Sequence, residues 1–378
     1  MAEGTGVNDG EVIVAGAGLW GCTVARRLAE SGRRVLVLEK RSAVGGNCRC
    51  ETDPETGIEC HTYGSHIFHT SNAEVWKFVN RFVSFNAYRH AVLARHAGKI
   101  YHLPIGCTLL KEFFGRDLRP SELNDADRAA IFEAFIRGYT SKQWGVPPEQ
   151  VDPSVIARLK VRDGFSTDYF DDPWQGIPTE GYNALFERML DHPGIEVRTG
   201  SSLHLEGDRF VLFDEGRKAS EPLSVDGQSR RLFYSGPLDA LFGHRFGALP
   251  WRSLRFETER LPCADAQGNS VVNYVDRDIP FTRQHEYKHY HPEWKDVMAS
   301  PFTVVSREYS VAWRDGLEPY YPIASEASAA LYARYRTEAA RVPGLTVGGR
   351  LGGYRYFDMD QTIAEALALT ADLATGGQ

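Results

Sequence analysis

Two short apolar runs lie near the start of the chain. Residues 12–15 read VIVA and residues 35–38 read VLVL, without the alternation of a half-exposed strand. Continuous apolar runs of this length are typical of strands that are buried on both faces of a parallel sheet. The segment between them reads as a glycine-rich turn followed by a helix, and Glu39 follows the second run. The pattern predicts a strand–turn–helix–strand unit that ends in an acidic residue.

The predicted turn has the glycine spacing of a dinucleotide-binding site. Gly16 allows the tight turn, Gly18 lets a pyrophosphate approach the backbone, and Gly21 lets the helix pack closely against the strand. The helix N-terminus then offers free N–H groups to the phosphates, and Glu39 is placed to accept hydrogen bonds from ribose hydroxyls. We interpret this unit as a dinucleotide site. The alternative is a tight turn in an ordinary α/β unit.

Further glycines indicate which dinucleotide binds. Residues 44–47 read VGGN just after Glu39, and a second glycine pair at this point is typical of FAD-binding chains. A later cluster, GGRLGG at 348–353, lies between a short apolar run at 345–347 and a helical stretch at 360–373. Such a turn could close over the flavin end of the cofactor, whereas the alternative is a surface loop between a strand and a helix. The sequence therefore favours FAD over NAD.

Other patterns predict helices and strands along the rest of the chain. Residues 109–144 are predicted to be mostly helical. The clearest helix in this stretch is 125–138, with Ser121 or Asn124 as its N-cap. Alternating apolar and polar positions predict antiparallel strands within 90–103 and 251–314. The remaining predicted elements are a helix at 182–191 and strands at 195–198, 209–213 and 232–234.

Composition and charge exclude some classes of protein. The chain has 378 residues, is 42% hydrophobic and carries a formal net charge of −7, which argues against a nucleic-acid-binding protein. No apolar stretch approaches the roughly 20 residues of a membrane span, and residues 1–10 lack the apolar segment of a signal peptide. We expect a cytoplasmic protein in which residues 1–10 are disordered. The spacing of the six cysteines predicts free thiols and no metal.

Several long motifs resemble those of the UDP-galactopyranose mutase family. Residues 63–70 read YGSHIFHT, like the histidine loop of that family, and residues 138–145 read GYTSKQWG, like its mobile substrate loop. Shorter matches follow in the same order, namely FGAL at 246–249, RSL at 252–254, FETE at 256–259, EPYYP at 318–322 and YRYFDM at 354–359. The resemblance spans roughly residues 11 to 373.

The resemblance implies an α/β fold, with a Rossmann-like FAD-binding domain, a small helical domain and an antiparallel β-sheet domain. The predicted boundaries are 11–80, 181–262 and 330–378 for the FAD-binding domain, 104–157 for the helical domain with a mobile loop near 139–150, and 81–103, 158–180 and 263–329 for the sheet domain. The helical segment is shorter than in the family, and residues 201–231 form a long insertion. The family's homodimer uses the helical domain, so the shortening leaves a homodimer as an open alternative.

The resemblance also implies a reaction, the interconversion of the pyranose and furanose forms of a nucleotide sugar. This isomerisation has no net redox change, and in the family the N5 atom of reduced flavin attacks the anomeric carbon. An external reductant such as NAD(P)H or a reduced flavin is then required. UDP-galactopyranose is the leading substrate. The alternatives are a 6-deoxy or amino sugar on UDP, dTDP or GDP, a flavin amine oxidase-type oxidoreductase, or an inactive nucleotide-sugar-binding protein.

Site residues follow from the matched motifs. The residues implied in catalysis are His66, His69, Arg158, Arg283 and Arg350. The cofactor residues are Gly16, Gly18, Leu19, Trp20, Gly21, Glu39, Lys40, Gly46, Asn47, His66, Arg350, Asp358 and Met359. The substrate residues are His90, Phe135, Tyr139, Thr140, Trp144, Arg158, Tyr169, Asn273, Arg283, Tyr321 and Tyr356, in which the two arginines and three of the tyrosines (Tyr169, Tyr321, Tyr356) contact the diphosphate and Tyr139 stacks on the nucleobase.

Two positions depart from the family pattern near the expected sugar. His90 occupies the position of an asparagine that contacts the sugar, and Ser65 replaces a small apolar residue of the histidine loop. Histidine is bulkier than asparagine and can carry a charge. These changes are either tolerated drift or the mark of a different sugar.

Overall fold

A parallel sheet forms the centre of the molecule, which we describe from a computed structural model of residues 12–151, 161–207, 209–225, 227 and 230–375. Its five strands lie in the order Ile195–Thr199, Val35–Glu39, Val12–Ala15, Arg231–Tyr234 and Leu345–Val347. All neighbouring pairs are parallel, with Val12 opposite both Val35 and Arg231. The apolar runs at the start of the chain are therefore central strands, as their continuous burial pattern predicts.

Each face of this sheet is covered by a separate apolar core. Val12 and Val14 belong to the core on one face, while Ile13 and Ala15 belong to the core on the other. The first core is closed by the helices Leu19–Glu30, Tyr182–Leu190 and Met359–Thr375. Helices Leu238–Leu241 and Glu326–Ala340 contribute to the second.

The insertion at residues 201–231 also covers the second face. It contains three antiparallel strands, Ser201–Glu206, Arg209–Asp214 and Ala219–Leu223. Phe210 and Leu212 are buried in the same core as Ile13 and Leu36 of the parallel sheet. The insertion is therefore part of the fold's packing and not a peripheral addition.

A second, mainly antiparallel sheet lies beside the first. Its seven strands follow the order Tyr321–Pro322, Trp251–Leu261, Thr303–Ala312, Arg283–Glu286, Val271–Tyr274, Val92–His96 and Lys99–Leu103. The pair formed by Val271–Tyr274 and Val92–His96 is parallel, and the other pairs are antiparallel. Asn273 lies opposite Arg283, and Arg283 lies opposite Glu308, so three polar side chains form a row across three strands.

A small helical unit packs over the edge of this sheet. Asn124, not Ser121, is the N-cap of its helix Asp125–Ile131 and accepts a hydrogen bond from the N–H of Asp127 at 2.9 Å. The predicted helix 125–138 does not end at Gly138. A π-helical turn, Phe132–Arg137, leads without a break into the helix Gly138–Trp144. Half of the predicted mobile loop 139–150 is therefore helical.

The remaining elements are short. The strands are Cys50–Thr52, Glu59–His61, Phe68–Thr70, Ile105–Gly106, Val161–Arg162 and Trp174–Gly176, and the helices are Ala73–Val79, Cys107–Phe114, Lys295–Met298 and Gly349–Gly352. The 3₁₀ turns are Gly46–Cys48, Pro120–Glu122, Pro148–Gln150 and Tyr287–Tyr290. All six cysteines are free thiols. Within the described ranges, none of the helices combines the length and apolar character that a membrane span needs. The predicted α/β class is confirmed.

Candidate active site

The glycine turn after the first strand has the geometry of a phosphate cradle. Gly16 has a φ of 107° and its N–H donates to the carbonyl of Leu38 at 2.7 Å. A Cβ on Gly21 would lie 1.8 Å from the carbonyl oxygen of Gly16, so the helix packs against the turn too closely for any side chain. A Cβ on Gly18 would meet only the Cα of Gly46, at 3.7 Å. Protein packing does not require a glycine at position 18, and the space there fits an approaching pyrophosphate.

Glu39 holds the backbone of this turn in place through hydrogen bonds. Its carboxylate is buried and accepts hydrogen bonds from the N–H of Ala17 at 2.8 Å and the N–H of Arg41 at 3.0 Å. The ammonium of Lys40 lies 3.1 Å from the carboxylate of Glu318, which also pairs with Arg41 at 2.9 Å. Lys40 therefore has a protein partner, and its predicted cofactor contact remains a prediction.

The first glycine turn, at 16–21, and the last glycine cluster, at 348–353, meet at Trp20. A Cβ on Gly348 would lie 2.4 Å from the indole ring of Trp20, and Leu19 and Trp20 are both buried. Gly46 also lies against this turn, because a Cβ added to Gly46 would be 2.9 Å from the Cα of Gly18. Segments far apart in sequence thus converge on one cradle.

A cleft of about 1080 Å³ opens between the antiparallel sheet, the histidine loop, the helical unit and residues 350–359. Sixteen of the predicted site residues line it, namely Asn47, His66, His69, His90, Phe135, Tyr139, Thr140, Trp144, Tyr169, Asn273, Arg283, Tyr321, Arg350, Tyr356, Asp358 and Met359. Arg158 lies outside the described residues.

The polar row of the antiparallel sheet faces this cleft. Arg283 donates from Nε to the hydroxyl of Tyr139 at 2.7 Å, and its Nη1 lies 3.6 Å from Oε2 of Glu308. Burial alone would raise the pKa of Glu308, but the charge of Arg283 and a hydrogen bond from His285 lower this pKa to about 2. The Oδ1 of Asn273 is buried and has no hydrogen-bond partner among the described residues.

Tyr139 and Phe135 have different surroundings, although both lie on one helical face. The hydroxyl of Tyr139 is bonded to Arg283, whose guanidinium lies 5.8 Å from the centre of the Tyr139 ring. Phe135 is 6% exposed and packs against Tyr101 and Phe113, with ring centres 5.2 and 5.3 Å away. Phe135 is mainly a core residue whose edge reaches the cleft wall.

The helix Gly138–Trp144 is held by two cations. Lys142 donates from Nζ to the carbonyls of Tyr274, Asp276, Ile279 and Phe281 at 2.5 to 3.0 Å. Arg252 donates to the carbonyl of Gln143 at 3.0 Å. The Lys142 bonds connect the helix that carries Tyr139 and Thr140 to the segment that leads to Arg283, and the Arg252 bond connects it to the strand Trp251–Leu261.

His66 and Arg350 lie close together at another wall of the cleft. Burial and the positive charge of Arg350 lower the pKa of His66 to about 4, so His66 is neutral near pH 7. The Nδ1 of His66 has no hydrogen-bond partner among the described residues, and its backbone N–H donates to Nδ1 of His61 at 2.9 Å. His69 has a carboxylate partner instead, since its Nδ1 lies 2.7 Å from Asp172.

Aromatic rings line the approach to Arg350. Tyr321 and Tyr356 stack with centres 5.3 Å apart, and the ring of Trp144 lies 6.5 Å from that of Tyr321. The guanidinium of Arg350 lies 5.5 Å from the Tyr356 ring. Tyr321 is within electrostatic reach of both Arg283 and Arg350.

His90 is buried between aromatic rings at the cleft wall. It is 5% exposed, stacks on Phe170 at 5.5 Å and has its Nδ1 3.0 Å from the hydroxyl of Tyr88. Burial and the charge of Arg283 lower the pKa of His90 to about 3. The histidine at this position is therefore neutral, and it offers one donor and one acceptor.

Sequence reasoning missed three polar residues of the cleft and its surroundings: His285, Glu308 and Lys142. His285 lies two residues after Arg283 on the same strand and hence on the same face. The two-residue spacing from Arg283 is the sequence signal that could have identified His285 as a residue of the cleft. Glu308 and Lys142 find their partners only across the folded chain.

A group of potential metal ligands lies beside the histidine loop. Ligand atoms of Cys50, Glu59 and His61 all lie within 4.8 Å of one another and are buried. The carboxylate of Glu59 already accepts from the N–H of Tyr182 at 3.0 Å and lies 3.0 Å from Nε2 of His291. The expectation of a metal-free site remains a prediction.

Comparisons with known proteins bear on the family and the fold of the chain. The model of the family described as UDP-galactopyranose mutase matches residues 134–356, and that of the NAD(P)-binding Rossmann-like domain matches residues 14–82. A solved structure of reduced UDP-galactopyranose mutase has a TM-score of 0.74 at 15% identity, covering 97% of this chain and 96% of that one. A structure described as a protoporphyrinogen oxidase from Exiguobacterium has the same general fold, with a TM-score of 0.63 at 13% identity, covering 98% and 99%.

Relatives resemble the chain over nearly its full length. A dTDP-fucopyranose mutase from Escherichia coli is 34% identical and covers 94% of this chain and 96% of its own. A probable UDP-galactopyranose mutase from Klebsiella pneumoniae is 36% identical, with 97% and 95% covered. A UDP-galactopyranose mutase from Mycoplasma pneumoniae is 34% identical, with 97% and 96% covered. The family model and these full-length identities show that the chain belongs to the UDP-galactopyranose mutase family.

Proposed function

We propose that the protein interconverts the pyranose and furanose forms of a nucleotide sugar, with UDP-galactopyranose as the leading substrate and FAD, active when reduced, as its cofactor. The observation that carries this proposal is Arg283 in the cleft wall, fixed on one side by Tyr139 and Glu308 and lying among Tyr169 and Tyr321. A fixed guanidinium with nearby phenol hydroxyls matches the oxygens of a diphosphate.

The glycine cradle supports FAD as the cofactor. Gly18 leaves room for a pyrophosphate, and the later clusters at 44–47 and 348–353 lie against the same turn. When bound and reduced, a flavin supplies a nucleophilic nitrogen for the anomeric carbon of the sugar. Arg350 lies at this end of the cleft, where its charge favours an anionic cofactor.

The protein's own residues then bind, orient and enclose the nucleotide sugar. Arg283 pairs with the diphosphate, which leaves as the anomeric carbon is attacked and returns at the end of the turnover. Because Glu308 stays ionised beside Arg283, the guanidinium is held in place before the substrate arrives. The tyrosine and tryptophan rings of the cleft exclude water from the reacting sugar.

The sugar is the least determined part of the proposal. The relative that acts on dTDP-fucopyranose is as similar to this chain as the UDP-galactopyranose mutases are, and His90 stands where an asparagine is expected. A 6-deoxy sugar on dTDP is therefore the second candidate. The proposal also includes a cytoplasmic location and an external reductant such as NAD(P)H or a reduced flavin. A homodimer remains a further proposal.

A substrate panel tests the function. The purified flavin-loaded protein is reduced with dithionite and incubated with UDP-galactopyranose, dTDP-fucopyranose and UDP-N-acetylgalactosamine, and the pyranose and furanose forms are separated by chromatography. We expect a furanose product from at least one of them, without consumption of reductant per turnover. Equal activity of the oxidised protein would contradict the requirement for reduced flavin, and absence of furanose from every sugar would overturn the proposed function.

A further inference from the structure

Ser65, His285 and Glu308 are joined by hydrogen bonds in the cleft wall. The Oγ of Ser65 lies 2.6 Å from Nδ1 of His285, and Nε2 of His285 lies 3.2 Å from Oε2 of Glu308. All three residues line the cleft, and the hydroxyl of Tyr290 donates to the Ser65 oxygen from behind. A hydroxyl, an imidazole and an ionised carboxylate in this order have the connectivity that moves a proton to and from the hydroxyl.

The three side chains differ in their exposure to the cleft, and this difference indicates a different role for each. His285 is 0% exposed and Glu308 is 1% exposed, whereas Ser65 is partly exposed on the histidine loop beside His66. Ser65 is therefore the member that can touch a ligand in the cleft, and His285 acts through it. Glu308 is ionised and can balance a positive charge on His285.

We propose that Ser65, His285 and Glu308 form a proton relay that serves the sugar during the isomerisation. This inference rests on the proposed mutase function and assigns a task to three residues of the same site. Ser65 is a catalytic residue in this account, and His285 and Glu308 are positioning residues that act through it.

The isomerisation needs such a relay because one proton changes place within the sugar. Ring opening breaks the bond from the anomeric carbon to the pyranose ring oxygen, which gains a proton. Ring closure forms a bond from another sugar oxygen to the anomeric carbon, and that hydroxyl loses its proton. No electrons are gained or lost overall, and one proton is consumed and one released in each turnover.

The hydrogen bonds allow both halves of this exchange. With His285 protonated, Nδ1–H and Tyr290 both donate to Ser65 Oγ, so the Ser65 proton points into the cleft and can pass to the ring oxygen while Nδ1–H replaces it. With His285 neutral, the Ser65 proton bonds Nδ1 and its oxygen faces the cleft as an acceptor. The hydroxyl that closes the furanose ring then gives its proton to Ser65, and Ser65 returns one to His285.

Other ionisable groups also face His285. Arg283 precedes it on the same sheet face and lies near Glu308. His61, His66 and His90 are all within electrostatic reach of His285, and each has a lowered pKa and stays neutral near pH 7. Tyr287 stacks on the His285 ring with centres 6.0 Å apart. Since these histidines remain neutral, a pH effect that disappears with His285 is assignable to it.

The test compares pH profiles of kcat for the reduced, flavin-loaded wild type, Ser65→Ala and His285→Gln, with a substrate from the panel above. The control is His204→Gln, because His204 pairs with Glu206 at 2.9 Å on the surface of the insertion. We expect the pH profile of wild-type kcat to contain a limb that is absent from both cleft variants, and we expect each variant to lose kcat roughly a hundredfold. Wild-type turnover should also be slower in deuterium oxide.

A second measurement is independent of turnover. ¹⁵N-histidine NMR of the full flavin-loaded chain reports whether Nδ1 of His285 accepts a hydrogen bond, and Ser65→Ala should shift this signal while the signal of His204 stays unchanged. An unchanged Nδ1 signal, or an unaltered pH limb in His285→Gln with wild-type activity present, would overturn the relay. Absence of any furanose product from the wild type would instead overturn the mutase proposal, whatever the NMR shows.

Discussion

The Nε of Arg283 donates a hydrogen bond to the hydroxyl of Tyr139 at 2.7 Å. This bond joins the antiparallel sheet to the helix Gly138–Trp144 and fixes the direction in which the guanidinium faces the cleft. Glu308 also contacts this guanidinium, since its Oε2 lies 3.6 Å from Nη1 of Arg283. Tyr139 is neutral and orients the guanidinium of Arg283, whereas the ionised Glu308 also balances its positive charge.

We expect Arg283→Ala to damage turnover far more than flavin content. Loss of a charge-assisted bond to the diphosphate costs about 1.5–3 kcal/mol, which is roughly a ten- to hundredfold loss of kcat/KM. Tyr139→Phe removes only the orienting hydrogen bond, so its loss should be about two- to tenfold. Steady-state kinetics and the flavin absorbance of both variants check this. Equal effects of the two changes would contradict the role of Arg283 as the diphosphate ligand.

The glycine cradle gives a matched pair of variants for cofactor binding. Gly18 has a φ of −83° and free space around its Cα, so Gly18→Val should fold but block the pyrophosphate and give colourless protein. Gly21→Ala would place a Cβ 1.8 Å from the Gly16 carbonyl and should destabilise the fold itself. Circular dichroism and flavin absorbance distinguish the two outcomes. A yellow Gly18→Val protein would show that the cofactor does not bind at this turn.

Lys142→Met tests whether the anchored helix serves substrate binding. The variant keeps the length of the side chain but loses bonds to four carbonyls, so the helix that carries Tyr139 should open more often. We expect faster hydrogen exchange in residues 138–144 and a higher KM for the nucleotide sugar, with flavin content unchanged. Lys111→Met is the control, since Lys111 pairs with Asp117 on the surface. Unchanged exchange in 138–144 would mean that packing alone holds this helix.

The sequence was sufficient for the glycine turn and its two flanking strands because their geometry is local. Gly16 and Gly21 constrain each other within one turn, and the flanking apolar runs can be read directly as buried strands. The polar row was not predictable in the same way. Glu308 faces Arg283 only through the register of two strands, and register depends on the packing of the whole sheet.

The helix Gly138–Trp144 was predicted only in part. Residues 109–144 were expected to be mostly helical, but the glycine at each end of 138–145 and the polar residues near Trp144 also indicated an exposed, movable loop. The helix forms because four carbonyls from a distant segment surround Lys142 and because Arg252 binds the carbonyl of Gln143. Such tertiary contacts override local propensity and cannot be read from spacing.

Stability should fall in mildly acidic solution because the fold keeps its cleft histidines neutral. The pKa of His66 is lowered from 6.5 to about 4 and that of His90 to about 3, mainly by burial. Below pH 6.5 the unfolded chain therefore binds more protons than the folded protein, and stability is lost as the pH falls from 6.5 towards 3. Each such histidine contributes a slope of up to about 1.4 kcal/mol per pH unit. Urea unfolding at pH 7.5 and 5 measures the loss, and His90→Asn should reduce it. An identical loss in that variant would mean that His90 does not contribute.

The same substitution tests the choice of sugar. His90 is buried against Phe170 and Tyr169, so its ring has a fixed position. Its Nδ1 already lies 3.0 Å from the hydroxyl of Tyr88, so Nε2 is the ring atom left for a sugar, whereas an asparagine amide offers both a donor and an acceptor. A sugar hydroxyl left without its partner in this wall costs about 1–3 kcal/mol, whereas a 6-deoxy sugar that lacks the hydroxyl avoids this cost. His90→Asn should therefore raise kcat/KM for UDP-galactopyranose relative to a 6-deoxy analogue by roughly five- to a hundredfold, with flavin binding unchanged. The two substrates are compared in competition with the same enzyme preparation, and His204→Gln serves as the control. A ratio that does not move would make His90 a structural residue of the wall and remove the main support for an altered substrate.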